Sequence, residues 1–475
     1  MNSSLQASPR PWGKIAAYSL FILLLALVFI MHKWSRISPI MYDIWSYYAY
    51  LPATFIEGDL KLSFLDLHPE YIDRFYQPVY TEDGDRVIKM SMGMAVLYSP
   101  YFFLGHLWAH LHSGMPADGF SRPYQIMIML AGPIHLLIGL LSLRKFLLAY
   151  VDEKSIAWAF VFVVLGSNLA YYTFHEGPMS HVHNFMLFSL FLRCTQLWFQ
   201  KQSWKHTIWL GLLSGLIVLV RPNNVLIGLS FILFGVYHWS SLKAQLQLFW
   251  KQAPKLISLL LVAALVLLPQ LVYWKYASGD WVCYSYKNGE YTEGFFFDQP
   301  KIFLGLFSYT KGWLLYSPLM LLGIIGLFRL PKTLRWAFPI YLTLNSYIIL
   351  SWWCWWYGGS FGHRAFIDIY PFLTLGFALF FQTFFNWPKI IRWGLTGLFS
   401  LFLALSMFQS WQYIHGIIHW DSMSKKTYWD HFLRTSKRDD YEQWLLPPKY
   451  EAALKGESAF WNDYRKKKED DETTQ

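Results

Sequence analysis

Apolar runs close to the length of a bilayer crossing recur from one end of the chain to the other. Residues 15–31 (IAAYSLFILLLALVFIM) carry no charge, nor do 256–274 (LISLLLVAALVLLPQLVYW). An α-helix needs about 20 apolar residues to cross a hydrocarbon core of about 30 Å. The pattern predicts spans over 15–31, 124–143, 155–174, 184–199, 207–220, 223–240, 256–274, 313–328, 336–354, 367–385 and 393–410. Read as a signal peptide, 15–31 would need a small-x-small cleavage site, and none is evident. A further apolar segment, 92–112 (MGMAVLYSPYFFLGHLWAHLH), is interrupted by Pro100 and holds three histidines.

Basic residues orient these spans. With a cytoplasmic N-terminus and 92–112 lying in the interface or re-entering, the clusters Arg10/Lys14, Arg144/Lys145/Lys154, Lys201/Lys205, Lys243/Lys251/Lys255, Arg329/Lys332/Arg335 and Lys389/Arg392 all fall inside. That is the positive-inside bias. If 92–112 crossed, every cluster after residue 143 would move outside. The expectation is therefore an all-α polytopic membrane protein with eleven spans, an interfacial helix, a large first outer loop (32–91) and a second long one (275–312). Residues 1–410 form the membrane domain. A polar tail, 411–475, follows, with an aromatic part (WDSMSKKTYWDHFLRTSK) suited to packing and a closing RKKKEDDE run expected to be disordered.

Composition agrees. The chain is 55% hydrophobic, 20% aromatic and 15% charged, against about 25% charged in soluble proteins. The net charge of +10 follows from the inside clusters and does not point to nucleic acid. Cys194, Cys283 and Cys354 show neither metal spacing nor a disulfide framework. No internal repeat is visible.

Acids are scarce before residue 411, and the first outer loop concentrates them: Asp43, Glu57, Asp59, Asp66, Glu70, Asp73, Glu82, Asp83 and Asp85. Asp43 stands among Tyr42, Trp45, Tyr47, Tyr48 and Tyr50, a partly dry setting that suits a general base. A helix cap or a solvated loop acid is the plainer reading. Glu57 and Asp59 are supporting acids or caps of the next turn. Arg221 in LVRPNN and Arg364 in GGSFGHRAFID break the inside pattern of cations. Forked donors at the outer ends of spans suit phosphate; snorkelling, or an ion pair of Arg364 with Asp368 one turn on, is the alternative.

The segment TFHEGPMSHVHNF offers His175, Glu176, His181 and His183 at the same face. His181 and His183 lack a clear third metal ligand, and Ser180 reads equally as a helix cap; a divalent metal is not indicated. SWWCWWYGGSFGHRAFID combines a tryptophan belt with Gly358, Gly359 and Gly362, which let backbone amides approach an anion, and adds His363. No nucleotide P-loop signature accompanies it. Lys311 is another cation at an outer span boundary. An acid, several cations and aromatics on one face suit a lipid phosphate whose headgroup reacts at the membrane surface.

At these residues the chain resembles the GT-C fold glycosyltransferases, in the group of dolichyl-phosphate-mannose protein mannosyltransferases and bacterial lipid A aminoarabinose transferases. One span followed by a large outer loop with an early acid is similar to the position of Asp43, although Ile44 stands where that family often has a second acid. GSNLAYYTFHEGPMSHVHNFMLFSLFL resembles the family's third-to-fourth-span junction, GLLSGLIVLVRPNN its Gly-rich span ending in Arg-Pro, and GGSFGHRAFIDIYPFL its late Gly-Arg motif. The likeness covers roughly residues 10–410. It implies a polyprenyl-phosphate-linked sugar donor and inverting transfer to a hydroxyl of a glycan, lipid or protein, without a cofactor. Asp43 would deprotonate the acceptor, and Arg221 and Arg364, with His363 or Lys311, would hold the departing phosphate. Tyr47, Glu57, Asp59, Glu176, His181 and His183 are candidates on the acceptor or sugar side. The expected location is a bacterial inner membrane with the site facing the periplasm. Competing readings are a flippase or transporter of lipid-linked sugars, a scaffold, and an acyltransferase using His181 or His183.

Overall fold

The computed structural model describes residues 10–67, 79–81, 83–288 and 291–457. Glu70, Asp73, Glu82 and the closing RKKKEDDE run lie outside these. The chain is mostly helical. Five helical stretches are long and apolar enough to cross a membrane: Trp12–Ser35, Arg122–Leu147, Ala253–Ser278, Arg364–Phe384 and Lys389–Ile414. This is a membrane protein.

The first helix, Trp12–Met31, shows how such a sequence packs. Its buried residues include Ala17, Leu20, Leu24 and Val28, a stripe at three- and four-residue spacing. Ile22 and Ile30 on the other side stay exposed, as lipid-facing residues do. Tyr370–Phe384 is apolar all round and buried along nearly its whole length, so it is the centre of the bundle. Met320–Leu327 crosses it at Gly326 and Gly376, where backbone meets backbone and a Cβ on either residue would collide. Small residues permit that close approach.

Three expected spans are not continuous helices. Over 223–240 the chain forms a 3₁₀ turn, Pro222–Ile227, and a short helix, Gly228–Ile232. It then turns at Gly235, whose N–H donates to the Thr333 carbonyl at 2.7 Å. Pro222 opens the segment without an amide hydrogen, and Gly228 and Gly235 weaken helical continuation. The stretch 313–328 divides into Trp313–Tyr316 and Met320–Leu327 around Ser317–Pro318. The helix Glu153–Leu165 stops at Gly166, and a short turn, Tyr171–Phe174, follows.

The segment 92–112 forms one helix, Gly93–Leu111, through Pro100. Both its ends lie at the same end of the bundle. At its start the Met92 N–H donates to Gln270 at 2.8 Å and Ser91 to the Leu219 carbonyl at 2.6 Å. Near its finish His106 meets the Tyr124 hydroxyl at 2.5 Å, at the start of Arg122–Leu147.

The two long loops meet at that end. Buried Lys89 pairs with buried Glu293 at 2.5 Å. Two short antiparallel hairpins, Val79–Tyr80 with Arg86–Val87 and Lys287–Asn288 with Tyr291–Thr292, belong to the same loops. The polar tail docks there as well. Thr310 of the second loop donates to the Met423 carbonyl of the tail; within the tail itself Gln412 donates to the His431 carbonyl and Tyr450 to Asp421. Ala453 and Leu454 cover Trp353, Cys354, Trp355 and Trp356.

Candidate functional site

Asp43 begins a short helix, Asp43–Tyr48, just after the first crossing. Tyr42 before it sits at φ 51°, a conformation that costs a side-chain-bearing residue about 1–3 kcal/mol. One Asp43 oxygen accepts from Arg364 Nη2 at 2.9 Å, and the two side chains are 21% and 15% exposed. The contact joins residues 321 positions apart in the sequence.

Arg364 opens the 3₁₀ turn Arg364–Ile369, entered through Gly362 at φ 54°. A 3₁₀ turn aligns residues three apart. Asp368, four positions on, therefore points elsewhere, and the ion pair of Arg364 with Asp368 does not form. Asp368 is instead a hub, 2% exposed. It accepts from Arg221 Nη1 at 3.0 Å and from Asn184 at 3.2 Å, and lies 3.3 Å from His181 Nδ1. A buried carboxylate requires such partners. Arg221 is placed by its neighbour: it ends the helix Trp204–Val220 in extended conformation, which the following Pro222 favours. Its guanidinium lies over the Tyr357 ring, 5.7 Å from the centroid.

Asp43, Arg364, Asp368, Arg221 and His181 thus converge. Tyr47 joins them, buried, with its hydroxyl 3.4 Å from Ser180. Burial and then the Asp43 charge push its phenol above the ordinary range, so it remains a neutral donor. His363 is also buried, edge-on to Phe366, and neither ring nitrogen has a hydrogen-bond partner among the described residues.

Lys311 behaves differently from the expectation. It is buried, and its amine donates to the carbonyls of Ser360 and Trp420. Burial pulls the amine down to about 7. Its hydrogens tether the Gly-rich turn to the tail.

The remaining candidates stand apart. Glu57 is exposed. Asp59 accepts the amides of Lys61 and Phe64, both at 3.0 Å, and caps its own loop. Glu176 binds Lys33 at 2.6 Å, with His175 at 3.6 Å. Burial alone would raise its carboxyl, but Lys33 and His175 hold it at about 2. His183 pairs with His135 at 2.5 Å. Among the described residues no group of three or more His, Cys, Asp or Glu could hold a metal.

The residue that sequence reasoning undervalued is Asp368. The signal was available: it is the one acid inside any of the expected spans, and an ionisable residue at membrane depth marks function by default. Asn184, its partner, gave no comparable signal.

Chemically, the cluster holds one carboxylate open to a proton, two guanidinium groups with donors to spare, and a neutral phenol. Two acids balance two arginines, so an anion entering would meet cations whose present partners it can replace. No family model matches the chain, and no curated protein matches it.

Proposed function

We propose that this chain is an integral-membrane glycosyltransferase of GT-C type with eleven crossings. It moves a sugar from a polyprenyl-phosphate donor to an acceptor hydroxyl on the non-cytoplasmic face of a bacterial inner membrane. The observation that carries the proposal is the 2.9 Å contact of Asp43 with Arg364, beside the Arg221–Asp368 pair.

In this reading the donor's lipid tail stays in the bilayer and its phosphate lies against Arg221 and Arg364. Fixed cations then stabilise the charge that develops on the leaving phosphate. Asp43 takes the acceptor proton as the hydroxyl oxygen attacks the anomeric carbon and the bond to the phosphate oxygen breaks. Inversion follows from that single displacement. Tyr47 and His181 border the same space and are suited to the sugar.

A transporter of lipid-linked sugars would place its charges near the midplane, often in paired repeats. Here they gather at one end of the bundle, among the loops, which favours chemistry at a surface. The test is mass spectrometry of lipids from a deletion strain, together with transfer by purified protein. Accumulated polyprenyl-phosphate sugar and a missing glycan are expected. An unchanged lipid and glycan profile would overturn the proposal.

A further inference from the structure

The three histidines of the segment 92–112 have no part in the cluster around Asp43. Two of them, four residues apart on the helix Gly93–Leu111, face each other: His106 Nε2 and His110 Nε2 are 3.1 Å apart. Their rings are edge-on, with centroids 4.5 Å apart. His110 is exposed and His106 half-buried, so the space between the nitrogens opens outward. His112 turns away and contacts the Trp108 carbonyl.

We propose that His106 and His110 form a binding site for a divalent transition-metal ion such as Zn²⁺, at the end of the bundle that also holds Asp43. Residues four apart lie on one helical face. With metal–nitrogen bonds of about 2.05 Å, nitrogens 3.1 Å apart subtend about 98° at the metal, between octahedral and tetrahedral angles. Imidazole is a preferred ligand for zinc, copper and nickel.

The surroundings fix the required tautomer. Both Nε2 atoms must present lone pairs, so each ring keeps its proton on Nδ1. At His106 that nitrogen lies 2.5 Å from the Tyr124 hydroxyl, whose oxygen can accept the Nδ1–H hydrogen bond. A partner on the second nitrogen is the usual way a protein orients a histidine ligand. Phe102 stacks on the His106 ring, 5.9 Å between centroids at 10°, and holds the ring in place. Metal binding replaces the hydrogen bond between the rings, and water completes the coordination. The ion ties one turn of the outer helix and, through Tyr124, fixes that turn against Arg122–Leu147.

The experiment is calorimetric titration of the full chain in detergent with ZnCl₂, repeated for H106N, H110N and H112N. One equivalent is expected whose affinity falls at least about tenfold in H106N and in H110N, with H112N unchanged. Cu²⁺ electron paramagnetic resonance supplies a second readout: two-nitrogen coupling in the wild type, reduced in each of the first two variants. Binding that survives both H106N and H110N, or no binding at all, would overturn the proposal. Neither measurement uses a sugar donor, so the result stands apart from the glycosyltransferase reading.

Discussion

Replacing Asp43 by Asn would separate two roles that the proposed reaction gives it, base and partner of Arg364. The substitution keeps the shape and removes the charge, so Arg364 Nη2 faces a neutral amide where it now meets a carboxylate at 2.9 Å. At an effective dielectric of about 20, opposite unit charges about 4 Å apart attract by about 4 kcal/mol. Both side chains keep some solvent contact, and screening reduces the net worth of the pair to roughly 1–2 kcal/mol. A phosphate entering the site has to compete with Asp43 for that guanidinium. Without the competitor, donor affinity should rise by about tenfold, which corresponds to 1.4 kcal/mol. Transfer should nevertheless fall by about 10²–10⁴, because the base is gone. The assay is equilibrium binding of a polyprenyl-phosphate sugar to purified protein, with transfer measured separately. Near-normal transfer by D43N would refute the base. Weaker donor binding by a folded D43N would refute the competition between the carboxylate and the phosphate.

The other predictions address the cations, the fold and the orientation. Arg364→Lys should lose both donor affinity and transfer, since a point charge does not replace a fork; an R364K protein that binds donor normally would make Arg364 merely structural. Arg221→Ala leaves Asp368 buried without its cation and should destabilise the protein by about 3–5 kcal/mol, read from thermal unfolding in detergent, with part of the loss recovered in R221A/D368N. Glu176 is held at about 2, below its ordinary 4.5, so its stabilisation is present above about pH 4.5 and is lost as pH falls toward 2; the melting temperature of E176Q should change less over that window than that of the wild type. An impermeant thiol reagent applied to intact cells should label D280C and spare L148C, and the reverse pattern would invert the topology.

Much of this architecture was legible because its cause is local. Apolar length announces a crossing, and the helices Trp12–Met31, Arg122–Leu147 and Ala253–Ser278 extend only a few residues beyond their expected spans. Arg221 stood out because a cation at an outer turn needs a reason, and Pro222 fixes its backbone. The pairing of those charges was not legible. Hydropathy cannot show that a 3₁₀ turn replaces an α-helical one at Arg364, and that choice alone exchanges the partners of Arg364 and Asp368. Nor can it show that Lys311 reaches carbonyls at Ser360 and in the tail at Trp420. The breaks at Gly166, Pro222 and Ser317–Pro318 were hidden for a related reason: apolar content persists through them although helical hydrogen bonding does not.

The exchange of partners has a chemical consequence. Had Arg364 paired with Asp368 on its own turn, the pair would have been a local feature, with Asp43 left to the loop. As the chain folds, each arginine is held by a carboxylate from a different element. Asp43 brings the first outer loop to the turn Arg364–Ile369, and Asp368 brings that turn to the end of Trp204–Val220 and the start of Ser180–Lys201. Four groups of balanced charge therefore close one network across four segments. A phosphate drawn to both guanidinium groups would compete for their charge with the carboxylates already bound to them. Asp43 is the one to yield: it is 21% exposed and bound by a single hydrogen bond among the described residues, whereas Asp368 is 2% exposed and surrounded by three side chains. Under the proposed reaction, donor binding would therefore free the Asp43 carboxylate, the proposed base, in the same event.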